Sequence, residues 1–219
     1  MKRTLEPEVM DTIQEANEYA AMDHSGPNAA FVERLQELGA EGRMLDIGTG
    51  PGHMPLLVCA EIASARVTGI DLAETMLVHA RAQLAESPFA DRVQFELADA
   101  KNLKFEAESF DVVFSNTILH HIPQPAALLR EARRVLKPSG VLLIRDLMRP
   151  ETDEEARALV DLHASDASER QRGLFLASLH AALTADEFRK VASQSGFDDA
   201  AVVIDSDRHM SLQLKRAGF

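Results

Sequence analysis

The sequence predicts an α/β fold, a doubly wound and mostly parallel sheet of about seven strands with helices on both faces. Short apolar segments alternate with amphipathic helical segments along the first 150 residues, as in repeated strand–helix units. The apolar runs that end at Phe114 and Ile144 are continuous, which is typical of strands covered on both faces. In such a sheet the ligand site lies beyond the carboxyl ends of the strands.

The individual elements follow from periodicity and from helix start and stop signals. An apolar stripe (Val9, Ile13, Ala16, Ala20) predicts a first helix, and Pro27 and Gly39 delimit a second. Five strands are expected in the core: Arg43–Ile47, Arg66–Ile70, Arg92–Leu97, Phe110–Ser115 and Val141–Leu147.

The last third of the chain is expected to close the sheet. A helix-rich segment covers residues 151–183, and Thr184 with Glu187 forms a capping box for a further helix. Strands at Ala201–Ile204 and Met210–Leu214 then form an antiparallel hairpin. The expected organisation is one domain of residues 1–219: an N-terminal helical lid (1–39), a binding core (40–150), a small helical cap (151–183) and a closing αββ unit (184–219).

A glycine-rich turn follows the first core strand directly. Gly48, Gly50 and Gly52 alternate after Ile47, so the backbone can turn sharply and a ligand can approach it closely. A dinucleotide-binding turn has a further glycine where this chain has His53, and Asp46 is poorly placed beside a pyrophosphate. A carboxylate there suits the cationic amino group of a methionine moiety, which favours S-adenosylmethionine over NAD.

Polar residues also stand at the ends of the next three strands. Asp71 ends the second strand and can accept hydrogen bonds from both hydroxyls of a ribose, or serve as an N-cap for the next helix. Asp99 ends the third strand and can accept a bond from an adenine amino group. The fourth ends at Asn116.

With these motifs in order, residues 40–147 resemble the class I S-adenosylmethionine-dependent methyltransferases, in particular the small-molecule type with a Rossmann-like sheet. The segments Ser115–Ile122 and Leu129–Gly140 are also similar to the corresponding family segments, although Ser139 stands where relatives usually have glycine. The resemblance implies methyl transfer to a small molecule, with S-adenosylhomocysteine as the product. It also implies the cofactor-binding residues: Asp46, Gly48, Thr49, Gly50 and Gly52 near the methionine part, Asp71 at the ribose, Leu72 and Met76 flanking the adenine, Asp99 and Ala100 at its edge, and Asn116 near the transferable methyl group.

The acceptor side has no unmistakable catalytic residue, because in-line displacement at a sulfonium needs a base only if the acceptor loses a proton. Three groups of candidates remain, each with a purely structural alternative. They are Tyr19, Asp23 and His24 after the first helix; His120 and His121 after the fourth strand; and Asp146 and Arg149 after the fifth. Asp146 and Arg149 either orient a polar acceptor at the cleft mouth or pair with each other.

Composition and residue pattern limit the kinds of partner and the location to be expected for this protein. The net charge of −12 makes nucleic acid an unlikely partner. One cysteine, Cys59, allows no internal disulfide, and no spacing of His, Asp or Glu indicates a metal site. The chain shows no signal-peptide pattern and no apolar run long enough for a membrane span, so a cytoplasmic location is expected, with a homodimer as a possibility. The alternatives to methyl transfer are another S-adenosylmethionine-using transferase, a non-catalytic binding protein of the same fold and an NAD-dependent oxidoreductase.

Overall fold

The computed structural model describes residues 1–6 and 25–215. These form a seven-stranded sheet with the order β3-β2-β1-β4-β5-β7-β6. The first five strands run parallel, β7 pairs antiparallel with β5, and β6 pairs antiparallel with β7. The strands are β1 (Arg43–Ile47), β2 (Arg66–Asp71), β3 (Val93–Leu97), β4 (Phe110–Asn116), β5 (Leu136–Leu147), β6 (Ala201–Ile204) and β7 (His209–Leu214).

Seven α-helices are described, together with a short 3₁₀ helix at Leu119–His121 after β4. They are α1 (Ser25–Glu37), α2 (His53–Glu61), α3 (Glu74–Ala85), α4 (Pro125–Val135), α5 (Asp153–His163), α6 (Glu169–Ala181) and α7 (Ala185–Gln194). The predicted second helix is therefore present as α1. The predicted first helix lies outside the described residues.

The alternation of side chains along the strands divides the core between the two faces of the sheet. Met44 of β1 packs into the cluster formed with Phe31 of α1 and Val58 of α2. Its neighbour Leu45 points to the other face and joins the cluster that contains Leu128 of α4 and Phe188 of α7. The sheet is thus covered on both sides, as its continuous apolar strands predict, and only its strand ends remain accessible to a ligand.

The start of β5 differs from the prediction. The strand was expected to begin at Val141 after a turn, but pairing with β4 already begins at Leu136, opposite Phe110. The register then shifts, and Val141 pairs with Val112. Gly140 lies within this irregularity, where an added Cβ would stand 2.8 Å from the carbonyl oxygen of Asp111. Residues 137–140, whose composition is typical of a turn, are therefore part of a bulged strand.

Helices α5 and α6 form the cap, and capping boxes begin both of them as well as α7. Thr152 with Glu155, Ser168 with Gln171, and Thr184 with Glu187 each exchange the two reciprocal hydrogen bonds. The capping box predicted at Thr184 is confirmed. No helix of the described part of the chain is both long and apolar enough to cross a membrane.

The first six residues lie against the cap and the 3₁₀ helix. The Arg3 guanidinium donates to the carbonyl oxygens of Ala181, His120 and Ile122 at 2.6, 3.2 and 3.2 Å. The Thr4 amide donates to the carbonyl oxygen of His180 at 3.0 Å. These contacts hold Glu6 beside the carboxyl ends of the strands.

Gly52 joins the β1 turn to α2 in a conformation that other residues rarely adopt. Its φ is +87°, and an added Cβ would lie 2.8 Å from Phe95 Cζ and 2.9 Å from Ala80 Cβ. We therefore expect Gly52→Ala to lower the free energy of unfolding by about 2–4 kcal/mol, through backbone strain and overpacking. Gly173→Ala is the control, because Gly173 lies within α6 with open space at its Cβ position. It should stabilise the protein by about 0.5–1 kcal/mol. Urea denaturation of both variants tests this pair, and equal effects would contradict it.

Candidate functional site

The glycine-rich turn after β1 folds back over the end of β2. The amides of Gly48 and Thr49 both donate to the carbonyl oxygen of Ile70 at 2.9 Å. Gly48, Gly50 and Gly52 have φ values of 75°, 53° and 87°. An added Cβ at Gly48 would lie 2.5 Å from Ile118 Cγ2, so glycine is required for close packing as well as for conformation.

Asp46 lies in β1 beneath this turn and is almost completely buried, with 1% of its surface exposed. Its Oδ2 atom has no hydrogen-bond partner among the described residues, and neither has Thr49 Oγ1. Burial raises the pKa of Asp46 to about 7; the Thr49 hydroxyl is near enough to oppose the rise, and the Asp71 carboxylate adds to it. A buried carboxylate oxygen without a partner fits a polar or cationic group supplied by a ligand.

Asp71, the last residue of β2, connects this turn to the next one. Its Oδ2 accepts the Gly50 amide at 2.8 Å and its Oδ1 accepts the Ala73 amide at 2.9 Å. The N-cap of α3 is Ala73, so Asp71 supports the turn before the helix and does not cap it. A carboxylate can accept about four hydrogen bonds in all, and ribose hydroxyls are suitable donors to it.

Asp99 follows β3 on the same edge of the sheet. Its Oδ1 accepts the backbone amide of Lys101 and lies 2.9 Å from the ammonium group of that residue. Partial burial acts to raise the pKa of Asp99, but these contacts with Lys101 hold it below its usual range. Asp99 is therefore ionised and available as a hydrogen-bond acceptor at neutral pH.

These strand ends line one cleft, which encloses about 790 Å³ of space including the open solvent at its mouth. Leu72 is 42% exposed at its wall, whereas Met76 is buried there. Of the predicted cofactor residues, the cleft brings together Gly48, Gly50, Asp71, Leu72, Met76, Asp99 and Ala100.

A second cavity adjoins the cleft across the glycine turn, and Gly48 and Gly50 line both. Asp46, Thr49 and Asn116, the other predicted residues of this edge, line the second cavity only. Gly52, also predicted at the cofactor, is buried against Phe95 and Ala80 and acts on the turn's conformation.

Asn116 belongs to a polar network at the floor of the second cavity. Its Nδ2 donates to Asn28 Oδ1 at 3.2 Å, and its Oδ1 accepts from Arg145 Nε at 3.1 Å. The Arg145 guanidinium also donates to the carbonyl oxygen of Pro27 and lies 4.9 Å from the centroid of the Phe31 ring. Burial lowers the pKa of Arg145 to about 10. The network fixes the side chain of Asn116, the last residue of β4.

His120 and Asp146 form a buried pair at the edge of the second cavity. His120 Nδ1 lies 2.7 Å from Asp146 Oδ1, and the His120 amide donates to Asp146 Oδ2 at 3.1 Å. Burial acts to lower the pKa of His120, but the charge and hydrogen bond of Asp146 together with the charge of Glu6 outweigh it, so this pKa is raised. His121 stacks beside His120 with ring centroids 4.2 Å apart.

The expectation for Asp146 and Arg149 is not met by their geometry. Asp146 is 2% exposed and engages His120, so it does not stand at the cleft mouth. Arg149 is buried and donates to the Ala182 carbonyl oxygen at 2.8 Å and to Glu187 Oε1 at 2.7 Å. The two residues therefore engage different partners and do not pair with each other. Tyr19, Asp23 and His24 lie outside the described residues.

Several residues of the second cavity carried no functional signal in the sequence. Glu6 reaches it from the N-terminal segment, and His163, Arg208 and His209 form one wall. Arg208 contacts His163 Nδ1 at 2.6 Å. Burial, together with Arg145 and Arg208, lowers the pKa of His209 to about 4. Their distant positions in the chain explain why local patterns do not connect them.

The family comparison agrees with this architecture. Residues 45–144 match the family described as "Methyltransferase domain". Residues 45–144, somewhat less than half of the chain, are thus similar to a methyltransferase domain, and the order and direction of the strands are Rossmann-like.

Three curated relatives show how far the sequence similarity extends. The 27-O-demethylrifamycin SV methyltransferase of Amycolatopsis mediterranei is 40% identical over 111 residues, which cover 51% of this chain and 40% of the relative. The demethylmenaquinone methyltransferase of Thermotoga maritima is 29% identical over 177 residues, covering 76% of this chain and 74% of the relative. Methyltransferase GfsG of Streptomyces halstedii matches this chain over 53% of its own length. The chain thus spans about half the length of several curated relatives that it matches.

Solved structures show the same fold. A phosphoethanolamine N-methyltransferase 2 from Haemonchus contortus, in complex with phosphomonomethylethanolamine and S-adenosylhomocysteine, has 27% identity and a TM-score of 0.68; the similarity covers 89% of this chain and 44% of that one. A putative S-adenosyl-L-methionine-dependent methyltransferase from Methanococcus maripaludis has 17% identity and a TM-score of 0.71, with coverage of 100% and 98%. The second likeness concerns the fold alone.

The buried Asp46 makes stability dependent on pH. Its folded-state pKa is about 7 against an ordinary value of 3.8, so the folded state keeps a proton that the unfolded state releases, and stability falls as pH rises between these values. Asn cannot ionise. Between pH 5 and pH 8 the wild type should therefore lose stability that Asp46→Asn keeps. The free energy of unfolding of the variant, relative to that of wild type, should rise by about 2–3 kcal/mol over this range.

Urea denaturation at the two pH values, without ligand, measures this difference. Asp91→Asn, at an exposed carboxylate, is the control and should show no such gain. If Asp46→Asn changed stability equally at both pH values, the raised pKa would be refuted.

Proposed function

We propose that this protein transfers the methyl group of S-adenosylmethionine to a small-molecule acceptor and leaves S-adenosylhomocysteine. The observation that carries the proposal is the convergence of four strand ends on adjoining cavities: the glycine turn after β1, Asp71 after β2, Asp99 and Ala100 after β3, and Asn116 at the end of β4. Each polar group stands where one part of such a cofactor needs a partner. The methyltransferase relatives support the same activity.

The residues that hold the cofactor follow from the geometry of the turn. Asp46, with its unpartnered buried oxygen, faces the cavity on the side of Gly48, Thr49 and Gly50 and is the acceptor for the methionine amino group. Asp71 accepts from the ribose hydroxyls. Leu72 and Met76 pack on the adenine face, and Asp99 and Ala100 lie at its edge. Gly52 supports the turn, and Asn116 lies where the two cavities adjoin.

The chemistry needs alignment more than acid–base assistance. When bound, S-adenosylmethionine would supply an electrophilic methyl group, which passes to an acceptor that attacks in line with the carbon–sulfur bond, with S-adenosylhomocysteine as the leaving group. The turn and Asn116 then determine the direction from which an acceptor approaches. Correct alignment of two reactants alone contributes roughly 7–11 kcal/mol to lowering a barrier.

The second cavity is the acceptor site in this proposal. It adjoins the cofactor cleft at the glycine turn, and the His120–Asp146 pair borders it. Its wall combines the polar side chains of Arg145, Arg208 and His209 with apolar residues such as Leu174 and Phe175. These features favour a small acceptor that has both a polar group and an apolar part. His121 lines both cavities, His120 lines the second cavity only, and Arg149 lines neither.

The competing functions have distinct readouts. Transfer of an aminocarboxypropyl group would not leave S-adenosylhomocysteine, and a non-catalytic binding protein would consume no cofactor. An NAD-dependent oxidoreductase conflicts with His53 in place of the further glycine and with the buried Asp46 carboxylate. The cytoplasmic location and the homodimer stay predictions from the sequence.

Asp71 provides the sharpest test of the cofactor site. Asp71→Asn keeps an oxygen for one of the two turn amides but loses the charge and one acceptor, so affinity for S-adenosylhomocysteine should fall tenfold or more, from loss of charged hydrogen bonds worth about 1.5–3 kcal/mol. Calorimetric titration of S-adenosylmethionine and S-adenosylhomocysteine into wild type and variant measures it.

The control is again Asp91→Asn, which should bind like wild type. Mass spectrometry of reactions with a panel of small hydroxyl and amine acceptors then tests methyl transfer. Failure of folded wild-type protein to bind either compound would refute the proposal, and wild-type affinity in Asp71→Asn would remove Asp71 from the ribose site.

A further inference from the structure

Three side chains from distant parts of the sequence converge on one point at the border of the second cavity. Glu6 Oε1 lies 3.3 Å from His120 Nε2 and 3.4 Å from His121 Nδ1. The three ligand-type atoms all lie within 4.8 Å of one another. The sequence predicted no metal site, because His120 and His121 are adjacent and Glu6 comes from the opposite end of the domain.

The separations match the edges of a metal coordination shell. Zinc ligands lie at about 2.0–2.1 Å from the ion, and a tetrahedral arrangement then separates neighbouring ligand atoms by about 3.3–3.4 Å. Direct hydrogen bonds between an imidazolium and a carboxylate are shorter, at about 2.7–2.9 Å. Glu6 Oε1 instead lies almost equally far from both imidazole nitrogens.

The surrounding hydrogen bonds orient two of the three ligands. Asp146 Oδ1 engages His120 Nδ1 at 2.7 Å, which turns Nε2 toward Glu6. Asp146 is itself fixed by the amides of His120 and Leu147. Ser178 Oγ donates to Glu6 Oε1 at 3.1 Å. Carboxylate–histidine pairs of this kind are the usual outer partners of metal-bound imidazoles.

The cluster is shielded on one side and accessible on the other. The side chains of His120, Glu6 and His121 are 3%, 12% and 18% exposed, and all three residues line the second cavity. From the described residues, a metal ion held there would have three ligands and a remaining position toward the cavity. Three ligands plus one open position is the pattern of catalytic zinc sites, with two histidines and one glutamate among the known ligand sets.

We propose that Glu6, His120 and His121 bind one divalent transition-metal ion, Zn²⁺ by the character of the donor set, with its fourth coordination position open to the second cavity. This site does not depend on the cofactor. An oxygen atom of an acceptor can occupy the open position, where the ion would polarise it.

A proton is the competing occupant. With Asp146 at Nδ1–H, a neutral His120 directs the lone pair of Nε2 at the Glu6 carboxylate, which is unfavourable unless a cation lies between them. An imidazolium satisfies this requirement as well as a metal ion does. The two occupants differ in whether the folded protein takes up metal at neutral pH.

The test is metal titration of the full chain, stripped with a chelator and carrying no polyhistidine tag. Zn²⁺ is titrated by calorimetry and Co²⁺ by visible absorption, which reports a four-coordinate site directly. The variants are Glu6→Gln and His121→Ala. Neither removes the His120–Asp146 pair, and circular dichroism checks that both fold. His79→Ala, at a histidine of α3 remote from the cluster, is the matched control.

We expect wild type and His79→Ala to bind a single equivalent with the cobalt absorption of a four-coordinate site. Both cluster variants should bind at least tenfold more weakly. Absence of binding by folded wild type would assign the site to a proton and overturn the proposal. Unchanged affinity in either cluster variant would also overturn it. S-adenosylhomocysteine affinity, measured separately on the same metal-free protein, keeps this result distinct from that of the cofactor site.

Discussion

The site depends on the hydrogen bonds by which the turn after β1 is fastened to the end of β2. The Ile70 carbonyl oxygen accepts two amides of that turn, and Asp71 accepts a third from Gly50. These bonds force positive φ angles at alternate positions, which glycine adopts without strain. Because the turn folds over its neighbouring strand, the strand ends open onto a cleft on one side and a larger cavity on the other. The roles proposed for Asp99 after β3 and for Asn116 in β4 follow from their positions at these strand ends.

Much of this arrangement could be predicted because its signals are local. Continuous apolar runs indicated the buried strands, and glycine or polar residues at the ends of the first four strands indicated the edge that we propose to bind a ligand. The predictions failed where tertiary contacts determine the position of a side chain or the start of a strand. Arg149 is directed to the cap by the Ala182 carbonyl oxygen and Glu187, which no strand pattern reveals. Pairing with Phe110 extends β5 backward through a segment that has turn composition. Glu6 and its histidine neighbours meet only in the folded chain, so spacing could not have joined them.

The polar groups of the site differ in how well the fold satisfies them. Asn116, Arg145 and Asn28 complete one another's hydrogen bonds, and His120 is held by Asp146. These groups are therefore rigid before any ligand enters. Asp46 is different, since one of its oxygens is buried without a partner. A group of this kind lowers the stability of the free protein and is expected where binding will later satisfy it.

The partial protonation of Asp46 also links ligand binding to proton exchange. A carboxyl with a pKa of about 7 is close to half ionised in neutral solution. A cationic amino group placed against it stabilises the ionised form, so part of the population must give up a proton as the ligand binds. The apparent heat of binding then includes the ionisation heat of whichever buffer receives that proton. Affinity for the cationic ligand also strengthens as the solution becomes more alkaline, until the carboxyl of the free protein is fully ionised.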